Sequence, residues 1–159
     1  MDCGSGIGRV TKAVLLRIFQ QVDMVDVNAT FLDEAPQYIG TESSRVGRYI
    51  CSSLHKFVPE PGRYDAVWCQ WVLGQLRDED LVDFFRRCKA GLTAHGLIFV
   101  KENMGSSQAS EFDEKDSAWT RPRSVWLEIM NRAGLTVVKE EKQKSFPKEL
   151  YDVHMFAVH

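Results

Sequence analysis

The chain has no run of about eighteen consecutive apolar residues, and no basic stretch near its start leads into an apolar one. Both observations argue against a membrane span and against a secretory leader. Its four cysteines, Cys3, Cys51, Cys69 and Cys88, form no C-x-x-C pair, so neither a zinc ribbon nor a dithiol redox motif is indicated. Three of them lie in apolar runs, and all four read as reduced thiols of the cytoplasm or nucleus. His55, His95, His154 and His159 fall into no ligand spacing, so no metal site is expected. A formal net charge of −2 argues against direct nucleic-acid binding. No internal repeat is visible.

What is present is an ordinary globular composition, 44% hydrophobic and 26% charged, over 159 residues. That length suits a single domain spanning 1–159. The most informative stretch is Asp2-Cys3-Gly4-Ser5-Gly6-Ile7-Gly8-Arg9, followed by an apolar run, Val22-Asp23-Met24-Val25, that ends in Asp26. A strand entering glycines brings backbone N–H groups close to a ligand, and an acid ending the next strand can accept both ribose hydroxyls. A dinucleotide fingerprint wants a third glycine where Arg9 stands, and a cation there suits a carboxylate-bearing ligand such as S-adenosylmethionine. The competing reading is a glycine turn between strand and helix with no ligand.

Further along, strands and helices alternate, which predicts an α/β fold with a mostly parallel sheet and an antiparallel final hairpin. Helical spacing covers Arg9 to Phe19, and Val22 to Val27 is a strand. A brief helix from Ala29 to Ala35 is expected to stop near Pro36, and Val46 to Cys51 is the third strand. Tyr64 to Val72, rich in aromatic and β-favouring residues, is expected as a central buried strand. Asp78 is a plausible N-cap for a helix through Leu81, Phe84, Phe85 and Cys88 that closes at Gly91. Gly96 punctuates before a strand from Leu97 to Lys101, and residues 102–120 read as one long polar, acidic loop. A helix from about Arg123 to Ala133 stops at Gly134, and strands follow at Leu135 to Val138 and Val153 to Val158. The charged segment 139–149 separates those last two strands.

Taken together with Val25-Asp26, Cys69-Gln70-Trp71-Val72, Lys101-Glu102-Asn103-Met104 and Glu149-Leu150-Tyr151, the glycine segment resembles class I S-adenosylmethionine methyltransferases, and more narrowly the protein α-N-terminal methyltransferases. These methylate the free amino group of proteins beginning X-Pro-Lys or X-Pro-Arg. The resemblance implies a Rossmann-like, seven-stranded, mostly parallel sheet with an antiparallel last strand. It also implies S-adenosylmethionine as cofactor and residence in nucleus and cytoplasm. By the same resemblance, Gly4, Gly6 and Arg9 hold the methionine part of the cofactor and Asp26 its ribose, and Val27 and Asn28 are also cofactor-binding. Leu54 and His55 lie against the adenine, and Gln70 reaches the cofactor from the central strand. Trp71, Asp113 and Tyr151 bind substrate, while Asn103 and Asp116 meet the reacting amine.

Protonation state favours an α-amine over a lysine, because pKa values of roughly 7.7–8.0 against about 10.4 leave on the order of a tenth of α-amines neutral near pH 7. Asp116 is the candidate proton acceptor, and Asn103 would orient the amine through its side-chain carbonyl. Trp71 would pack on the substrate proline or a methylated cation. Acids around Asp113 would attract the third-position Lys or Arg.

The resemblance also has departures. After the Q-W-V-x-G run the family carries a histidine, and here Gln75 stands in its place. Ala118 replaces a common serine, and Pro122-Arg123 replaces an acidic helix start. Only Met1 to Cys3 represent the first strand, so a truncated first strand and missing N-terminal helices are expected. A second reading therefore accompanies the enzyme: a non-catalytic remnant that binds or regulates protein partners.

Overall fold

The computed structural model describes residues 1–145, 147 and 150–159. The chain divides into two compact units, Met1–Phe57 and Val58–His159.

The first unit is a three-stranded parallel sheet in the order β3-β2-β1, formed by β1 (Asp2–Cys3), β2 (Val22–Asp26) and β3 (Val46–Cys51). The short first strand is as expected, with Asp2 and Cys3 opposite Met24 and Val25. Between β1 and β2 the chain turns through a π-helical segment, Thr11–Leu15, into α1 (Leu16–Ile18). Such π turns are frequent at functional sites. The glycine turn needs its glycines: Gly4, Gly6 and Gly8 all have positive φ, and a Cβ on Gly8 would stand 2.9 Å from Ile39 Cδ1.

Helix α2 (Ala29–Ile39) does not stop at Pro36 as expected. Pro36 forfeits one internal hydrogen bond, but carrying the helix on buries Ile39 beside Leu32 and Ala35 along one apolar stripe. The helix ends at Gly40, whose N–H donates to the Pro36 carbonyl.

The second unit carries the strand order β4-β5-β9-β8, from β4 (Tyr64–Gln70), β5 (Leu92–Met104), β8 (Val137–Lys142) and β9 (Asp152–Val158). Strands β4 and β5 are parallel, and β9 runs antiparallel to both of its neighbours, matching the expected antiparallel last strand. Helices α3 (Asp78–Gly91) and α4 (Arg123–Arg132) bury Leu81, Phe84, Phe85, Cys88, Trp126 and Ile129.

Four expectations need correction here. Strand β4 ends at Gln70, because Trp71 turns into the left-handed region at φ 51°. Gly96 does not precede β5 but lies inside it. A Cβ there would stand 2.6 Å from the Tyr64 carbonyl oxygen, and the β4–β5 register shifts alongside. Arg77, not Asp78, occupies the N-cap of α3; Asp78 opens the helix with Glu79 and Asp80, where acids favour the helix dipole. Residues 102–120 are not one loop either: β5 continues to Met104, and a hairpin of β6 (Glu111–Asp113) and β7 (Ala118–Thr120) follows, with Phe112 packed on Trp119.

Candidate active site

In the first unit, the carboxyl ends of parallel strands converge on the glycine turn. The N–H groups of Gly4 and Ser5 donate to the Val25 carbonyl at 2.8 and 3.1 Å. Asp26 ends β2 with its carboxylate turned to the same turn: Oδ2 accepts from Gly6 N–H at 2.8 Å and Oδ1 from Asn28 N–H at 2.9 Å. Each oxygen keeps a further lone pair. Asn28 spends its side-chain oxygen capping α2, and Val27 is exposed. The Ser52 N–H donates to the Asp26 carbonyl, which ties the next turn, with buried Leu54 and exposed His55, to the end of β2.

This turn fits a ligand on three observations. The Ser5 Oγ is buried with no hydrogen-bond partner. Gly6 faces open space where a side chain would stand. Arg9 is exposed, and among the described residues no carboxylate lies within ion-pair distance of it. A buried acid that sequence reasoning missed supports the turn from below: Asp2 accepts the Thr11 hydroxyl at 2.6 Å, and burial raises its pKa to about 6 against the pull of that hydrogen bond.

In the second unit, Gln70 stands half-buried at the carboxyl end of β4 and accepts the Trp68 indole N–H at 3.3 Å. Beyond it opens a cavity of about 770 Å³ whose walls include Trp71, Gln75, Asn103, Asp116, Trp119 and Tyr151. Five of the six residues assigned to substrate or catalysis, or expected in a histidine's place, thus share this cavity: Trp71, Gln75, Asn103, Asp116 and Tyr151. Trp71 is 48% exposed, its indole N–H donates to Asn103 Oδ1 at 3.1 Å, and the Lys101 ammonium lies 5.3 Å from its ring centre. Asn103 therefore has one lone pair of that oxygen left for a substrate.

Asp116 is exposed, and its carbonyl accepts the Gln75 amide at 3.3 Å. Asp113 is not among the cavity's walls. Its carboxylate accepts the N–H groups of Lys115 and Asp116 at 2.8 and 3.3 Å and so shapes the turn that presents Asp116. Glu149 lies outside the described residues.

Three contributors escaped sequence reasoning: Trp119, the buried Glu102, and Arg121. Arg121 is fully buried, donating to Asp78 Oδ1 at 2.8 Å and to the carbonyls of Leu73 and Leu76 at 3.4 and 2.6 Å, with its guanidinium over the Trp126 ring. It thereby pins the turn that carries Gln75. Replacing Arg121 by Ala strips the donor from the Leu76 carbonyl and the partner from Asp78, while the Leu73 carbonyl keeps the Leu76 N–H, and is expected to destabilise the fold by on the order of 3 kcal/mol, read as a lowered urea midpoint. An unchanged midpoint would remove Arg121 from this role.

A solved S-adenosylmethionine-dependent methyltransferase from Leishmania major superposes with a TM-score of 0.94 at 35% identity, over 99% of this chain and 63% of its own. At 16% identity, the complex of DhpI with S-adenosylhomocysteine superposes at a TM-score of 0.74 over 98% of this chain and 74% of its own, which speaks for the fold alone. The fold is thus that of the class I methyltransferases that use S-adenosylmethionine.

The model of one family, the AdoMet-dependent proline di-methyltransferases, matches residues 1–159, and the chain belongs to that family. Among curated relatives, N-terminal Xaa-Pro-Lys N-methyltransferase 1-B of Xenopus laevis is 48% identical and N-terminal Xaa-Pro-Lys N-methyltransferase 1 of Homo sapiens 45% identical. Each is matched over 158 residues, which is 99% of this chain and 70% of the relative.

Proposed function

We propose that this chain transfers methyl groups from S-adenosylmethionine to the free α-amino group of proteins that begin X-Pro-Lys or X-Pro-Arg. The observation that carries the reading is the cavity of the second unit, where an aromatic wall, an amide and a carboxylate share one space. The names of relatives up to 48% identical point to the same substrate class. Bound at the first unit's glycine turn, the cofactor supplies a methyl group on a positively charged sulfur. Gly4, Gly6, Ser5 and Arg9 would hold its amino-acid part, Asp26 its ribose, and Leu54 and His55 its adenine.

The residues of the cavity divide the work on the peptide. Trp71 and Trp119 offer apolar faces for a proline ring. Asn103 directs its remaining lone pair at the amine, and Asp116 accepts the proton that must leave before nitrogen can attack. Tyr151 lines the path of the peptide, and Asp113, held in the turn before Asp116, adds negative charge for the third-position Lys or Arg. The four free cysteines, Cys51 exposed among them, support residence in the reducing nucleus and cytoplasm.

A peptide beginning Ser-Pro-Lys is expected to gain mass in steps of one methyl group, read by mass spectrometry, while the same peptide with an acetylated N-terminus gains none. Equal methylation of both peptides would move the acceptor from the α-amine to a side chain and overturn the proposal.

A further inference from the structure

Three consecutive residues of β5 grip a single turn. The Lys101 carbonyl accepts the Trp71 N–H at 3.1 Å, and Asn103 accepts the Trp71 indole N–H at 3.1 Å. Between them, Glu102 Oε1 accepts the N–H groups of both Val72 and Leu73 at 2.9 Å each. Glu102 is only 6% exposed, yet it borders the cavity. The turn it holds needs holding: Trp71 sits at φ 51°, a conformation that bulky residues keep only where the surroundings impose it. A buried carboxylate is costly in a strand that an apolar side chain could fill, so its place against these two N–H groups calls for a role.

We propose that Glu102 is a positioning residue for the methyl transfer, its carboxylate clamping the turn from Trp71 to Leu73 so that Trp71 stands as the wall receiving the peptide N-terminus. This rests on the function proposed above. Glu102 does not touch the reacting atoms; it acts through Trp71. Burial raises its pKa to about 7, while the two N–H groups and Arg121 pull the other way. The charged and titratable groups around it are Arg121 before α4, Lys101 on its own strand, His154 opposite it in the β5–β9 register, and Lys115 and Asp116 among the cavity walls. Protonation turns two charge-assisted hydrogen bonds into neutral ones, roughly half as strong, so the clamp loosens as pH falls through neutrality.

The test compares the wild-type chain with Glu102→Ala and Glu102→Gln, using a Ser-Pro-Lys peptide. Glu102→Ala is expected to raise the peptide KM roughly tenfold with cofactor affinity within about twofold of wild type. Amide exchange at Val72 and Leu73 should quicken about tenfold or more, while β9 amides keep their rates. Glu102→Gln keeps a neutral acceptor and cannot titrate: its KM should exceed wild type near pH 8 and match wild type near pH 6, the ratio of the two cancelling the titration of the substrate amine.

Unaltered exchange and KM in Glu102→Ala, or a Glu102→Gln profile that follows wild type at every pH, would overturn the assignment. If Glu102→Ala fails to fold, the Glu102→Gln profile decides. If the wild-type chain leaves the peptide unmethylated, the proposed function fails, and the exchange rates at Val72 and Leu73 still judge the clamp.

Discussion

Replacing Asp116 by asparagine is expected to lower kcat by about 10²–10⁴-fold at neutral pH, the range that a positioned proton acceptor supplies. The substitution is clean because the side chain carries none of the local structure. The Asp116 N–H still donates to Asp113, and its carbonyl still accepts from Gln75. What is removed is a carboxylate bordering a cavity walled by Trp71, Asn103 and Tyr151. Two readings of that carboxylate part company in the kinetics. If it only attracts the ammonium group, the loss falls on KM; if it takes the proton, the loss falls on kcat. Raising the pH gives a further check. An α-amine with a pKa of roughly 7.7–8.0 is about a tenth neutral near pH 7 and largely neutral near pH 9, so the Asp116→Asn deficit should shrink up to about tenfold across that span. Cofactor affinity by calorimetry should stay within about twofold of wild type. A kcat equal to wild type at pH 7 would exclude Asp116 as the proton acceptor.

The elements that bring Asp116 to the cavity were only partly legible in the sequence. Local signals sufficed where one physical effect dominates: glycine punctuation at Gly91 and Gly134, the apolar run of β4, and an acid at the end of β2 all appear in the structure where their chemistry places them. They misled where tertiary packing outweighs a local preference. Pro36 stays inside α2 because Ile39 gains burial, and Gly96 stays inside β5 because the neighbouring strand passes too close for any side chain. Residues 102–120 read as a polar loop because a three-residue strand pair is too short to show alternation, and its stabilising contact, Phe112 on Trp119, joins residues on opposite strands. Arg121 and Glu102 are the instructive omissions. In a sequence, a lone charge implies solvent, and only the fold reveals that Arg121 meets two carbonyls and Glu102 two N–H groups. The glycine turn and Asp26 were legible because their spacing in sequence mirrors adjacency at the ends of β1 and β2.

Asp26 carries the second large effect, on cofactor affinity. Its two oxygens already organise the site, one on Gly6 N–H and the other on Asn28 N–H, leaving one lone pair on each for the ribose. Asp26→Ala removes those acceptors and frees two backbone donors, so the loss combines missing ligand bonds with a loosened turn. Hydrogen bonds to a charged group contribute about 1.5–3 kcal/mol each, so the loss of two sets the expected weakening at roughly 10²- to 10⁴-fold in the calorimetric Kd for S-adenosylmethionine. Asp26→Asn divides the two contributions. Its carbonyl oxygen can satisfy one N–H while its NH2 group faces the other donor, so the variant should bind worse than wild type and no better than about tenfold tighter than Asp26→Ala. With cofactor raised to saturation, kcat should return to within about threefold of wild type, because Asp26 holds the donor and takes no proton from the amine. A calorimetric Kd unchanged in Asp26→Ala would detach Asp26 from the ribose, and with it the reading of the glycine turn as the cofactor's seat.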